Sequence, residues 1–145
     1  MHPMNHFKDL PKLFFALTAA YFLTSLGHFA HNAEFICEYP NLPVWLTRAK
    51  VYAAWAAITS VGVVGLLLVR KRFMAMGLLL IAVYAALGFD GLGHYAVAPL
   101  GLHTLASNVT ILSEVAVAAL LLPVTLCLLA RQVMSKEVEL YEDAK

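Results

Sequence analysis

Four long apolar runs, separated by short polar or proline-containing stretches, organise this 145-residue chain. Each reaches the roughly 20 residues that a bilayer core requires of a helix. Together they predict spans over 11–33, 46–69, 73–95 and 103–129. Pro11 falls near the first turn of the first span, where its missing N–H is tolerated. Pro40 and Pro43 punctuate the loop that follows, and Tyr39 and Trp45 in that loop read as anchors at the membrane interface. Arg70-Lys71-Arg72 stops the second run, and Pro99 and Gly101 mark a tight turn between the third and fourth. From Arg131 the chain is charged, in the manner of an exposed helix or a frayed end. Leu13 to Gly27 has the length of a signal-peptide core. No small-x-small pair precedes His28 or Glu34, so the run reads as a retained helix.

Residues 1–145 therefore read as a single all-α unit, an integral membrane four-helix bundle with antiparallel up-down topology. Lys8, Lys12, Arg70, Lys71, Arg72, Arg131 and Lys136 lie on one side and the third loop carries no basic residue, which puts both termini in the cytoplasm. Arg48 and Lys50 run against that balance. Composition agrees with the pattern: 61% of residues are hydrophobic and 13% charged, with a mean hydropathy of +0.77. A formal net charge of +1 gives no basic field for nucleic acid. The expected setting is multi-pass, in a bacterial inner (cytoplasmic) membrane, with the lipid bilayer as partner. Helix two carries small residues, Ala53, Ala54, Ala56, Ala57, Gly62 and Gly65, that would serve internal packing, a homo-oligomer or a larger membrane complex.

Polar residues recur along each span at intervals of three and four, which places them on one helix face. Tyr21, Thr24, His28 and His31 mark helix one, and Arg48, Tyr52, Trp55 and Thr59 helix two. Asp90 and His94 mark helix three, and His103, Ser107, Thr110 and Glu114 helix four. These faces should point inward, away from lipid. Glu114 lies roughly 16 Å along its helix, where an ionised carboxylate without a partner is costly. It should be neutral or paired, with Arg48, Tyr52 or a histidine as candidates. Gly88, Gly91 and Gly93 would let helix three approach a neighbour closely.

His28, His31, Asp90, His94 and His103 bunch toward one end of the bundle, the outer one by the charge balance. Imidazole and carboxylate are the ligand types of zinc, iron and copper(II) sites. These five residues are the expected ligands of a transition metal ion (zinc, copper or iron), with Glu34 and Glu114 as catalytic, proton-handling candidates. A b-type haem held by His28 and His94 is the alternative cofactor. Asp90-x-x-x-His94 followed by His103 resembles the metal-binding helix pattern in one subunit of membrane copper monooxygenases. The likeness covers three residues and implies no further role here. The four-helix layout, with a Pro- and Trp-containing loop before helix two, is similar in architecture to the sterol-isomerase-like membrane family.

The functional expectation is a small membrane protein that binds a metal and acts on a membrane-soluble substrate, as an oxidoreductase or hydrolase. The other readings are a metal-free acid–base lipid enzyme of isomerase type, an accessory subunit, or a binder of lipid or quinone. Cys37 and Cys127 should be free thiols at opposite ends of the bundle. His2 and His6 read as tail residues.

Overall fold

The computed structural model describes residues 7–143, with side chains described as far as Ser135; His2 and His6 lie outside the described residues. It is all-helical among those residues. Helix α1 spans Lys12–Glu34, α2 Arg48–Arg70, α3 Met74–Leu87, the short α4 Gly93–Val97, and α5 Leu105–Asp143. Four segments are long and apolar enough to cross a membrane, Lys12–Glu34, Arg48–Arg70, Met74–Val97 and Leu105–Ser135. By length and composition this is a multi-pass membrane protein.

The third span is not one unbroken helix, as its hydropathy suggested. Between α3 and α4 the backbone tightens into a 3₁₀ segment, Gly88–Leu92. Such a turn takes three residues instead of 3.6. Asp90 and His94 are thus no longer stacked one α-turn apart. The fourth helix runs on past Leu129 to Asp143. Pro123 sits inside it without ending it.

The helices pack in a ring, α1 on α2, α2 on α3, α3 on α5, and α5 back on α1. The inner faces obey one rule. On α1 the seam positions are Phe14, Thr18, Tyr21, Ser25, His28 and Asn32, with Ala33 buried beside the last of them. On α5 they are Ser107, Ile111, Glu114, Ala118, Leu121, Thr125, Leu128, Gln132 and Ser135. Both series alternate steps of three and four, the repeat that keeps one seam facing a partner along two helices. At one end of the seam large apolar side chains predominate, Phe14, Leu121 and Leu128, beside the buried Thr18 and Thr125. The other end is polar, which concentrates Ser25, His28, Asn32, Ser107 and Glu114 there.

Glycines set the α2–α3 approach. Added β-carbons at Gly65 and Gly77 would each fall against the other's carbonyl oxygen, at 3.0 and 2.7 Å. At Gly62 one would fall on the Tyr84 ring. The glycines of α2 therefore serve internal packing, while Ala53, Ala54, Ala56 and Ala57 stay on the outside. Gly88 accommodates the Tyr21 ring, whereas Gly93 has nothing near it. Cys37 and Cys127 are both exposed free thiols.

Candidate functional site

The polar end of the bundle centres on His28, which α1 presents to both α5 and the broken third span. Its Nδ1 is hydrogen-bonded to the Glu114 carboxyl. Both side chains are almost completely buried, with 4% and 2% of their surface exposed. This is the partner of the mid-span carboxylate: a histidine, and neither Arg48 nor Tyr52. Those two bind Glu34 instead, Arg48 at 3.1 Å and the Tyr52 hydroxyl donating at 3.0 Å. Glu34 is thereby an exposed clamp between α1 and α2. Such an ion pair in contact with water contributes little to stability.

The other ring nitrogen of His28, Nε2, lies 3.3 Å from Nε2 of His94. Asn32, one helical turn beyond His28, places its amide nitrogen 3.3 Å from that same His94 atom. The amide oxygen of Asn32 is buried without a partner. Gly91 makes the arrangement fit. A β-carbon there would already stand 3.4 Å from the His28 ring and 3.6 Å from the Glu114 carboxyl. A larger side chain would have to enter the space in front of the pair.

That space is a cavity of about 170 Å³, lined by His28, Asn32, Asp90, Gly91, His94 and Glu114 and closed by apolar side chains that include Leu46, Val51 and Leu87. Its volume is close to that of a cavity that admits one benzene-sized group, about 150 Å³.

His31 and His103 face elsewhere. His31 Nδ1 is 2.9 Å from the Tyr39 hydroxyl. His103 is buried, with Nε2 3.3 Å from the carbonyl oxygens of His94 and Ala98. It ties down the end of α4, where its N–H donates to the backbone. Asp90 is exposed and lines the cavity mouth. The five expected ligands thus divide into a cavity set, His28, His94 and Asp90, and two that hold the surrounding loops. Among the described residues, no three His, Cys, Asp or Glu side chains are gathered so as to hold a metal ion.

Tyr39 is a residue whose role the sequence conceals. It is buried, not an interfacial anchor. Its ring lies 4.9 Å from His94, 5.8 Å from His31 and 6.3 Å from His103. Burial pushes its phenol above the ordinary value, with the Thr110 and Ser107 hydroxyls opposing. It therefore stays protonated at neutral pH and shares a hydrogen bond with His31. A second tie joins the same two loops: Asn41, in a left-handed conformation, donates its amide to the Val97 carbonyl at 2.9 Å. A short polar residue is the side-chain type that adopts that conformation most readily. Trp45, in contrast, is 65% exposed, as an interfacial anchor would be.

Chemically, Glu114, His28 and His94 form a row of three proton-exchanging groups. A proton accepted at one nitrogen of His28 can release one from the other. The row runs from the bundle interior to the cavity wall. No protein-family model, curated protein or solved structure matches this chain.

Proposed function

We propose that this protein is a membrane-embedded acid–base catalyst acting on a small, membrane-soluble molecule. The observation that carries this reading is the buried His28–Glu114 pair set against His94 at the wall of a cavity. In a low-dielectric interior the pair is cheapest with no net charge, sharing one proton between carboxyl and imidazole. His94 meets the substrate and exchanges a proton with it, and His28 relays the proton to or from Glu114. Proton removal at one carbon and return at another would move a double bond, the isomerase-type chemistry compatible with an apolar substrate. No net oxidation or additional reactant is involved.

Deuterium incorporation tests this even while the substrate is unidentified. The purified protein is incubated in D₂O with a total lipid extract of the membranes that carry it. Lipophilic species are then examined by mass spectrometry for carbon-bound deuterium. Wild-type protein should label a defined species, and His28→Ala should label it at least about 100-fold more slowly, the usual worth of a positioned acid–base group. Equal labelling by both proteins, or none by wild type, overturns the reading.

One observation favours a second reading, a metal ion shared by His28 and His94. Two nitrogens bound tetrahedrally at about 2.05 Å stand roughly 3.3 Å apart, and the two Nε2 atoms are 3.3 Å apart. Glu114 behind His28 is the carboxylate partner that metal-bound histidines commonly have. The oxygen of a turned Asn32 amide would add a third donor and water a fourth. Mass spectrometry of tag-free protein should then find about one zinc, copper or iron per chain, lost in His94→Ala. Folded wild-type protein free of metal overturns this second reading and leaves the first standing.

A further inference from the structure

A second cavity, of about 320 Å³, opens between α1, α2 and α3, further along the bundle from the His28–Glu114 pair. Its size reaches the lower end of the range of small-molecule sites, about 300 Å³. Its walls are almost wholly apolar, and three of them, Phe22, Leu23 and Val63, are themselves 36%, 64% and 48% exposed on the outer surface of the bundle. On a membrane-spanning bundle that surface meets lipid, so the cavity is entered from the hydrocarbon phase and not from water.

Two features set it apart from a packing defect. Tyr84 and Thr59, 2% and 7% exposed, line it. The hydroxyl of each is buried without a hydrogen-bond partner. Hydroxyls without partners are expensive in an apolar interior, and more so where no water can reach them. Tyr84 is also firmly held: its ring packs against that of Tyr21 with centroids 4.5 Å apart and a 56° tilt, and Gly62 supplies the room it needs. Both side chains line the same cavity, so one acceptor atom held there could take a hydrogen bond from each hydroxyl.

We infer that this cavity binds a membrane-soluble ring compound bearing a carbonyl group, a quinone-like head, whose oxygen accepts hydrogen bonds from Tyr84 and Thr59. A carbonyl oxygen has two lone pairs and no proton of its own, which matches two donors. The apolar walls formed by Phe22, Leu23 and Leu66 would hold the ring. This site is separate from the acid–base centre and does not depend on the reading given to that centre.

Trp55 supplies a reporter, since its ring lies 5.7 Å from that of Phe22 in the cavity wall. Trp45→Phe leaves Trp55 as the sole tryptophan, the sequence having two. The probe is decyl-benzoquinone, titrated into the protein in detergent micelles, with decylbenzene as the carbonyl-free control. Saturable quenching by the quinone is expected. Tyr84→Phe combined with Thr59→Val should weaken it about tenfold, as two lost neutral hydrogen bonds imply. Ala19→Phe, which fills the cavity from its lipid side, should abolish saturation while leaving the hydroxyls in place. Its thermal unfolding serves to verify the fold should the double variant prove unstable. The inference is overturned by quenching that rises linearly without saturation, by equal affinity in the hydroxyl-free variant, or by equal displacement of the quinone by decylbenzene.

Discussion

Gly77→Ala should part α2 from α3 and lower the stability of the whole bundle by about 3 kcal/mol or more. The added methyl would stand 2.5 Å from Val69 Cγ2, 2.7 Å from the Gly65 carbonyl oxygen and 2.7 Å from the Val69 amide nitrogen. Two of those three atoms are backbone, so no change of rotamer relieves the clash. The helices themselves must separate, and close approach of backbones is what small residues provide where lipid supplies no hydrophobic drive between helices. Thermal unfolding in detergent should show a fall in midpoint of roughly 10 °C. Gly27→Ala is the control. A β-carbon at Gly27 meets nothing within 4 Å, and alanine favours the helix by about 0.5–1 kcal/mol. A Gly77→Ala protein as stable as Gly27→Ala would show that the two helices do not cross at that point.

The second large effect is expected at Glu114. Glu114→Leu leaves His28 buried with its Nδ1 unpaired, which costs about 1–3 kcal/mol. Glu114→Gln keeps an acceptor for that nitrogen, so its stability should stay close to wild type while its proton exchange is lost. The double variant Glu114→Leu with His28→Leu should recover most of the stability that Glu114→Leu loses, because neither partner is then stranded. Chemical or thermal unfolding of the set, treated as a double-mutant cycle, checks this. Additive losses would mean that the two side chains are not coupled.

Much of the fold is legible in the sequence because membrane spans announce themselves by length. The expected span 11–33 and the observed Lys12–Glu34 differ by a residue at each end, as do 46–69 and Arg48–Arg70 to within two. The break in the third span is hidden. Gly88-Phe89-Asp90-Gly91-Leu92 is as apolar as its flanks apart from one aspartate, and a 3₁₀ turn has no hydropathy signature. The orientation of side chains within the site is partly legible. Steps of three and four along helix one point to His28 and Tyr21, and the same steps continued reach Ser25 and Asn32, which carry no charge to attract notice. Nothing in the chain order says which helix faces which, so the pairing of His28 with Glu114, 86 residues away, emerges only from the packing. His31 and His103 enter the expected ligand set by type and position. Their rings turn instead to Tyr39 and to the backbone of α4's end, the partners that packing puts beside them. Tyr39 is hidden for the complementary reason. An aromatic residue beside a proline-rich loop resembles an anchor from outside, whereas here it fills the space between three histidines.

Glu114 holds one nitrogen of His28 and His94 meets the other, and in the proposed catalyst the three exchange protons as a row. Nitrogen-15 NMR of histidine-labelled protein in nanodiscs reads both contacts of the ring. The expected result is a His28 Nδ1 proton far downfield, in a strong hydrogen bond, that moves in Glu114→Gln and vanishes in Glu114→Leu, while the Nε2 resonance moves in His94→Ala. His28 resonances unchanged by all three substitutions would contradict this arrangement, because the ring would then be held by neither partner.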